Sequence, residues 1–326
     1  SDTIDFSDSY FSGVYLDYAD SGPITVEIDG SAGTGSVTKQ GIGTDTFVDV
    51  TNQLDSGWFS GFGALFVIGS NGDVTINMSL GPQQWIGFGA GPGNDTYNLD
   101  VTNQGGVRIS YSLFNGPVPT SGIVVDLNDG VVSNNGFGGT DQINVIAGFG
   151  YVEIEATRFA DSIIGSAANE RFIPLGGNDT IDGGGGIDMV RYDRGGISGI
   201  DINLATGIGT GTYFGEAFTH SLSNIEQIRG SRNGNDTLTG NAADNLIVAY
   251  GGDDILRGGA GNDTIFGGSG FDTIIIDANS TDVSVVDFGN FWQITSSDGV
   301  DLVSYDVERF QFNDISLSGF DLNNIG

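Results

Sequence analysis

Residues 231–275 read SRNGNDTLT, GNAADNLIV, AYGGDDILR, GGAGNDTIF and GGSGFDTII, five nonapeptides in unbroken register. Leu238, Ile247, Leu256, Ile265 and Ile274 recur at the eighth position of each unit. Asp236, Asn245, Asp254, Asp263 and Asp272 recur at the sixth, with an amide in place of an acid only at Asn245.

Such a unit has a direct physical reading. Glycines such as Gly251, Gly258, Gly259, Gly261, Gly268 and Gly270 permit backbone turns that a Cβ resists. The sixth-position Asp offers a hard oxygen ligand, and an exposed loop offers carbonyls beside it. The triplet around the apolar residue is a short strand, with that residue pointing inward and its neighbours outward. One turn cannot bury its single apolar side chain, so the turns must stack. An Asp alone would as readily cap its own loop in an Asx-turn. Acids kept in phase with an apolar row favour divalent ion ligation, and flexible carbonyl-rich loops suit Ca2+ better than Mg2+.

A second run lies upstream. Its units span residues 156–164, 165–173, 174–182 and 183–191. Ile163, Phe172, Ile181 and Val190 hold the apolar position, and Asp161, Glu170, Asp179 and Asp188 the acidic one. Gly176, Gly177, Gly183 and Gly185 mark its turns. A shift of 75 residues lays Asp161 on Asp236 and Asp179 on Asp254, tying both runs to one ancestral unit.

The last two units of 231–275 fit G-G-x-G-x-D-x-U-x, where U is a large apolar residue. The stretch thereby resembles the RTX (repeats-in-toxin) calcium-binding nonapeptide family. The resemblance implies an all-β fold: a parallel β-roll or β-helix solenoid of stacked Ca-binding turns with a C-terminal β cap. Two nonapeptides would make one coil, with calcium between loops on the same edge. Asp236 would then pair with Asp254, Asp254 with Asp272, Asn245 with Asp263, Asp161 with Asp179, and Glu170 with Asp188. The amide makes the Asn245 pair the weakest. The resemblance also implies an extracellular or cell-surface bacterial protein exported by type I secretion.

Composition sets further bounds. The 326 residues include 42 acids, 10 basic residues, 56 glycines and no Cys, for a net charge of −32. So acidic a chain folds only if cations neutralise it, which predicts order conditional on metal. Nucleic acid is excluded as a partner of the bulk surface, since phosphate contacts need Lys and Arg. Disulfides and thiolate metal sites are excluded by the absence of Cys. No apolar run is long enough for a membrane span, and no signal peptide is visible. The chain starts at Ser1 rather than Met, so the missing leader carries little weight.

A longer repeat overlies the short one. Leu16-Asp17-Tyr18, Ile109-Ser110-Tyr111 and Val190-Arg191-Tyr192 each precede an alternating strand and a turn rich in Gly and Thr. Four blocks follow: a diverged β-solenoid block at 1–110, calcium-binding blocks at 111–191 and 192–275, and a C-terminal cap at 276–326. The first block is aromatic, with Trp58, Phe59, Phe62, Phe66, Trp85 and Phe88, and should end-plug the solenoid or form a docking surface. Its best nonapeptide is residues 90–98, but few acids line its loops, which predicts little metal there. In the cap, Asp298-Gly299 signals a hairpin between two alternating strands. Val307-Glu308-Arg309-Phe310-Gln311-Phe312 resembles the closing segment of type I secreted RTX proteins.

No catalytic constellation stands out: H-E-x-x-H and G-x-S-x-G are absent. His220, the single histidine, is expected to be a surface turn residue in the 192–230 excursion. The alternative makes His220, Tyr213 and Arg191 or Arg194 a proton-transfer group acting on anionic polysaccharide, as in a uronate lyase or epimerase. The favoured reading is non-enzymatic: a calcium-stiffened roll for surface display, adhesion or assembly, with calcium, cell-surface polysaccharide or further copies as partners. A third is the C-terminal part of a larger secreted hydrolase.

Overall fold

The computed structural model describes residues 3–5, 14–17, 23–29, 32, 34–40, 43–48, 65–68, 72–81, 85–103, 105–112, 118–319 and 322. Every regular element among them is a strand, apart from one 3-10 turn at Ser280–Asp282. No helix among them is long and apolar enough to cross a membrane. The fold is the expected all-β parallel roll. It divides into two compact units, residues 1–173 with 184–186, and residues 174–183 with 187–326.

The second unit shows the plainest build. Thr237–Thr239, Ile255–Arg257, Thr273–Ile275 and Arg309–Gln311 pair in parallel along one wall. Met189–Arg191, Gln227–Arg229, Leu246–Val248, Thr264–Phe266 and Val300–Ser304 form the other. The registers place Leu238 on Leu256 on Ile274, and Ile228 on Ile247 on Ile265 on Val303. These side chains are buried, so the two inner rows form the core. Each fully buried Leu or Ile stabilises the roll by about 1.5–3 kcal/mol.

Three-stranded antiparallel excursions interrupt the roll where the longer repeat recurs. They are Ile24–Asp29, Thr34–Lys39 and Gly43–Val48; Val124–Asp126, Val131–Asn134 and Asp141–Ile146; and Ile197–Asn203, Ile208–Tyr213 and Glu216–Ser223. The outer strands of each rejoin the parallel wall, so an excursion replaces one thin turn by a wider level. The cap closes the second unit as the turn signal predicts. Phe291–Thr295 folds back on Val300–Ser304 through Asp298 and Gly299, and Ser284–Asp287 adds outside it.

In the first unit, Trp85–Gly89, Gly106–Ser110, Tyr151–Glu155 and Glu170–Ile173 form one wall. Ile24–Asp29, Val74–Ser79, Thr96–Asp100 and Asp141–Ile146 form the other. Outside that second wall, Asn144 donates to Asn98, Asn98 to Asn77, and Asn77 to Glu27, a ladder of side-chain amides at 2.7–2.8 Å. Phe88 lies in the inner row against Tyr97, whereas Trp85 faces outward under the Arg108 guanidinium. Trp58, Phe59 and Phe62 fall outside the described residues, and of Phe66 only the backbone is described.

Candidate metal centre

The sixth-position residues stack as a ladder along each edge of the second unit. The backbone N–H of Asp236 donates to Oδ1 of Asp254 at 2.7 Å, and that of Asp254 to Oδ1 of Asp272 at 3.0 Å. On the other edge Asn245 donates to Asp263 at 2.8 Å. These are the pairs the repeat implies. Each ladder runs on into the cap: Asp272 donates to Glu308 and Asp263 to Asp301. Asp188 donates to Glu226 in the same way. Glu226, Asp301 and Glu308 escape a glycine-based reading because their loops lack the glycine pattern. Their signal is an acid two residues before a buried apolar one, here Ile228, Val303 and Phe310.

Backbone conformation sorts the acids into two kinds. Two left-handed residues precede each of Asp179, Asp188, Asp254, Asp263 and Asp272, four and two positions upstream. They are Leu175 and Gly177, Gly184 and Gly186, Tyr250 and Gly252, Gly259 and Gly261, and Gly268 and Gly270. The 75-residue shift reproduces the pattern, laying Leu175 on Tyr250 and Gly184 on Gly259. The left-handed glycines near Asp188 are thus Gly184 and Gly186 rather than Gly183 and Gly185, and near Asp254 the glycine is Gly252 rather than Gly251. Leu175 and Tyr250 carry a Cβ in a region that costs it energy, so the loop geometry is imposed by its neighbours.

Asp161, Glu170, Asp236 and Asn245 have no left-handed pair before them, and their oxygens are engaged by their own loops. Thr157 gives Asp161 its N–H and hydroxyl, each at 2.9 Å, and Ser166 caps Glu170 likewise at 3.0 and 2.5 Å. Asp236 takes Ser231 N–H at 2.7 Å, Ser231 hydroxyl at 2.8 Å and Ile200 N–H at 3.0 Å. Asn241 N–H caps Asn245 at 2.8 Å. In these loops the side-chain oxygens already accept hydrogen bonds.

The acids after left-handed pairs differ. Oδ2 of Asp254, Asp263 and Asp272 is buried and accepts no hydrogen bond. A buried carboxylate oxygen without a donor is costly unless a cation meets it. Burial pushes Asp254 up to about 7, helped by Asp236 and Asp272. Burial likewise raises Asp263 and Asp272 to about 6, with Asp301 and Glu308 as the acids that repel them most. Among the described residues no three acidic or imidazole side chains converge on one point. An ion at these acids would therefore draw most ligands from loop carbonyls, an oxygen-only set that fits Ca2+.

His220 contradicts its expected place in a surface turn. It lies in the strand Glu216–Ser223 and is 1% exposed. An alternating strand buries every second residue, and His220 shares the inward side with Phe218 and Leu222. Its ring stacks on Phe218 at 4.2 Å, Nδ1 lies 2.9 Å from the Tyr192 hydroxyl, and Nε2 lies 3.1 Å from Asp179 Oδ2. Tyr213 packs on Phe214 and over Gly176. Arg191 binds Asp193 through two nitrogens at 2.8 and 3.0 Å. Burial opposes ionisation of Asp193, but Arg191, Arg194 and Arg229 hold its carboxyl below the usual range. The polysaccharide-acting group drawn from the sequence is thus engaged in separate contacts.

A family model for the RTX calcium-binding nonapeptide repeat matches the chain in 4 copies, over residues 155–190, 232–265 and 239–274. A comparison with curated proteins gives no match. The chain thus carries RTX-type calcium-binding nonapeptide repeats over those residues, and the ion they bind is Ca2+.

Proposed function

We propose that this is a secreted protein whose roll becomes ordered on binding calcium outside the cell, and which then serves a structural, surface or assembly role. The observation carrying it is the set of buried, donor-free Oδ2 atoms of Asp254, Asp263 and Asp272 beside left-handed loop pairs. Inside a cell, where free calcium is scarce, those oxygens oppose stacking; where calcium is abundant they drive it. The ligands are these three acids with loop carbonyls, and Glu308 and Asp301 extend the rows into the cap. A surface role draws support from the strand Ser284–Asp287, which has one paired neighbour among the described residues and an exposed Val286 with Phe288 just beyond. Exposed sheet edges of this kind pair with other chains.

Far-ultraviolet circular dichroism of the EGTA-dialysed protein, followed by calcium addition, tests the reading. A gain of β signal on adding calcium is expected. Full β content without metal, unchanged by calcium, would overturn it. Sedimentation in calcium then separates folding alone from assembly.

A further inference from the structure

Among the described residues, two levels of the roll are built differently from those of Asp254 and Asp272. The register shows which levels they are. In every ladder step the residue after the upper member donates its N–H to the lower member's carbonyl oxygen: Ile255 to Asp236, Thr273 to Asp254, and Leu302 to Asp263, all at 2.8 Å. Gln142 makes the same 2.8 Å bond to Asp95, and Ser221 to Asp179. Asp141 therefore stands to Asp95, and His220 to Asp179, as Asp272 stands to Asp254. In both levels the upper member comes from an antiparallel excursion rather than a nonapeptide loop.

At the first level, the side-chain amide of Asn135 is fully buried. Its Nδ2 donates to Gly93 carbonyl at 3.0 Å, to Asp141 Oδ1 at 3.0 Å and to Gly91 carbonyl at 3.5 Å. Its Oδ1 accepts from Phe137 and Gly139 N–H, which fixes which end is the donor. One polar hydrogen-bearing nitrogen thus touches two loop carbonyls and a carboxylate, the donor set a calcium ion would take. At the second level, His220 Nε2 sits 3.1 Å from Asp179 Oδ2, an ion-pair distance without hydrogen-bond geometry, with both side chains fully buried. The Tyr213 ring lies over Gly176 of the Asp179 loop, where a further nonapeptide loop would otherwise stack.

We infer that Asn135 and His220 are built-in substitutes for calcium, so that the Asp95 and Asp179 levels close without the ion. The two residues reach their loops from different excursions and use different chemistry, an amide and an imidazole, which makes each instance independent of the other. The inference rests on the calcium reading of Asp254 and Asp272. It adds that these two excursion-fed levels are metal-free anchors, from which calcium-dependent stacking proceeds.

Bound calcium is counted by atomic emission on the full chain after gel filtration in saturating calcium. Asp254→Asn and Asp272→Asn each bind less calcium, whereas Asp95→Asn and Asp179→Asn match the parent. His220→Asp and Asn135→Asp, which put a carboxylate where the substitute stood, each gain one ion. Amide exchange in EGTA supplies a second readout free of mutation: Gln142 and Ser221 stay protected while Thr273 and Leu302 exchange. Calcium loss in Asp95→Asn or Asp179→Asn, alongside loss in Asp254→Asn and Asp272→Asn, overturns the inference and leaves the calcium reading standing. Parent-like calcium in Asp254→Asn and Asp272→Asn overturns the calcium reading and the inference with it.

Discussion

The backbone N–H of Asp254 points at Oδ1 of Asp272, 3.0 Å away, while Oδ2 of the same carboxylate meets no donor. One oxygen thus holds the neighbouring coil and the other is buried without a donor. Asp236 shares the ladder, yet Ser231 and Ile200 engage both of its oxygens.

That contrast gives a mutational test. Asp236→Asn should leave calcium binding as it is and cost about 1–2 kcal/mol of stability through lost loop-capping bonds. Asp272→Asn should weaken calcium binding by about tenfold or more, equivalent to at least ~1.4 kcal/mol. Calcium titration calorimetry with thermal melts in EGTA separates the two.

The pH dependence should reverse sign with calcium. Burial holds Asp254 at about 7 and Asp263 and Asp272 at about 6, above the ~3.9 of an unfolded Asp. A carboxyl whose folded value is raised favours the folded chain fully below the unfolded value and loses that contribution as pH rises through the folded one. The metal-free roll should therefore become less stable as pH climbs from about 4 to about 7, and level off above that. Calcium needs the ionised acids, so its affinity should rise across the same window. Melts at a series of pH values, with EGTA or calcium, check both slopes.

Glycine substitutions should divide by position. Gly270 has φ +135°, and a Cβ there would run into the Gly252 carbonyl oxygen. Gly270→Ala should cost on the order of 1–3 kcal/mol and weaken calcium binding at Asp272. Gly185 has no left-handed φ, and its nearest atom to a Cβ is Ala167 Cα at 3.8 Å. Gly185→Ala should change stability by less than about 0.5 kcal/mol, read from the same melts.

Removing an inner-row side chain should hurt whether or not calcium is present. Ile265 is fully buried between Ile247 and Val303. Ile265→Ala should cost about 2–5 kcal/mol. A calcium-saturated melt of Ile265→Ala that coincides with the parent would contradict a load carried by the inner rows.

The roll, its inner rows and the ladder pairs of residues 231–275 were legible because each is written in a nine-residue period. Asp236, Asp254 and Asp272 follow from counting, since parallel coils of fixed length put equal phases on top of one another. The Asp298-Gly299 hairpin was legible for a similarly local reason. What counting missed lies in contacts between distant segments. Asn135 reaches Gly91 and Gly93 from more than forty positions away, and His220 reaches Asp179 from an excursion whose length follows no short period.

The sequence by itself determined the repeat, the roll and the identity of the ion, because phase, glycine and acid recur locally. Which acids keep a buried oxygen without a donor was decided only by the tertiary structure. Left-handed residues four and two places upstream precede Asp263 and Asp272, whose Oδ2 atoms meet no donor, whereas Ser231 satisfies Asp236. That choice depends on neighbouring coils forcing even Leu175 and Tyr250 into a conformation they do not prefer alone.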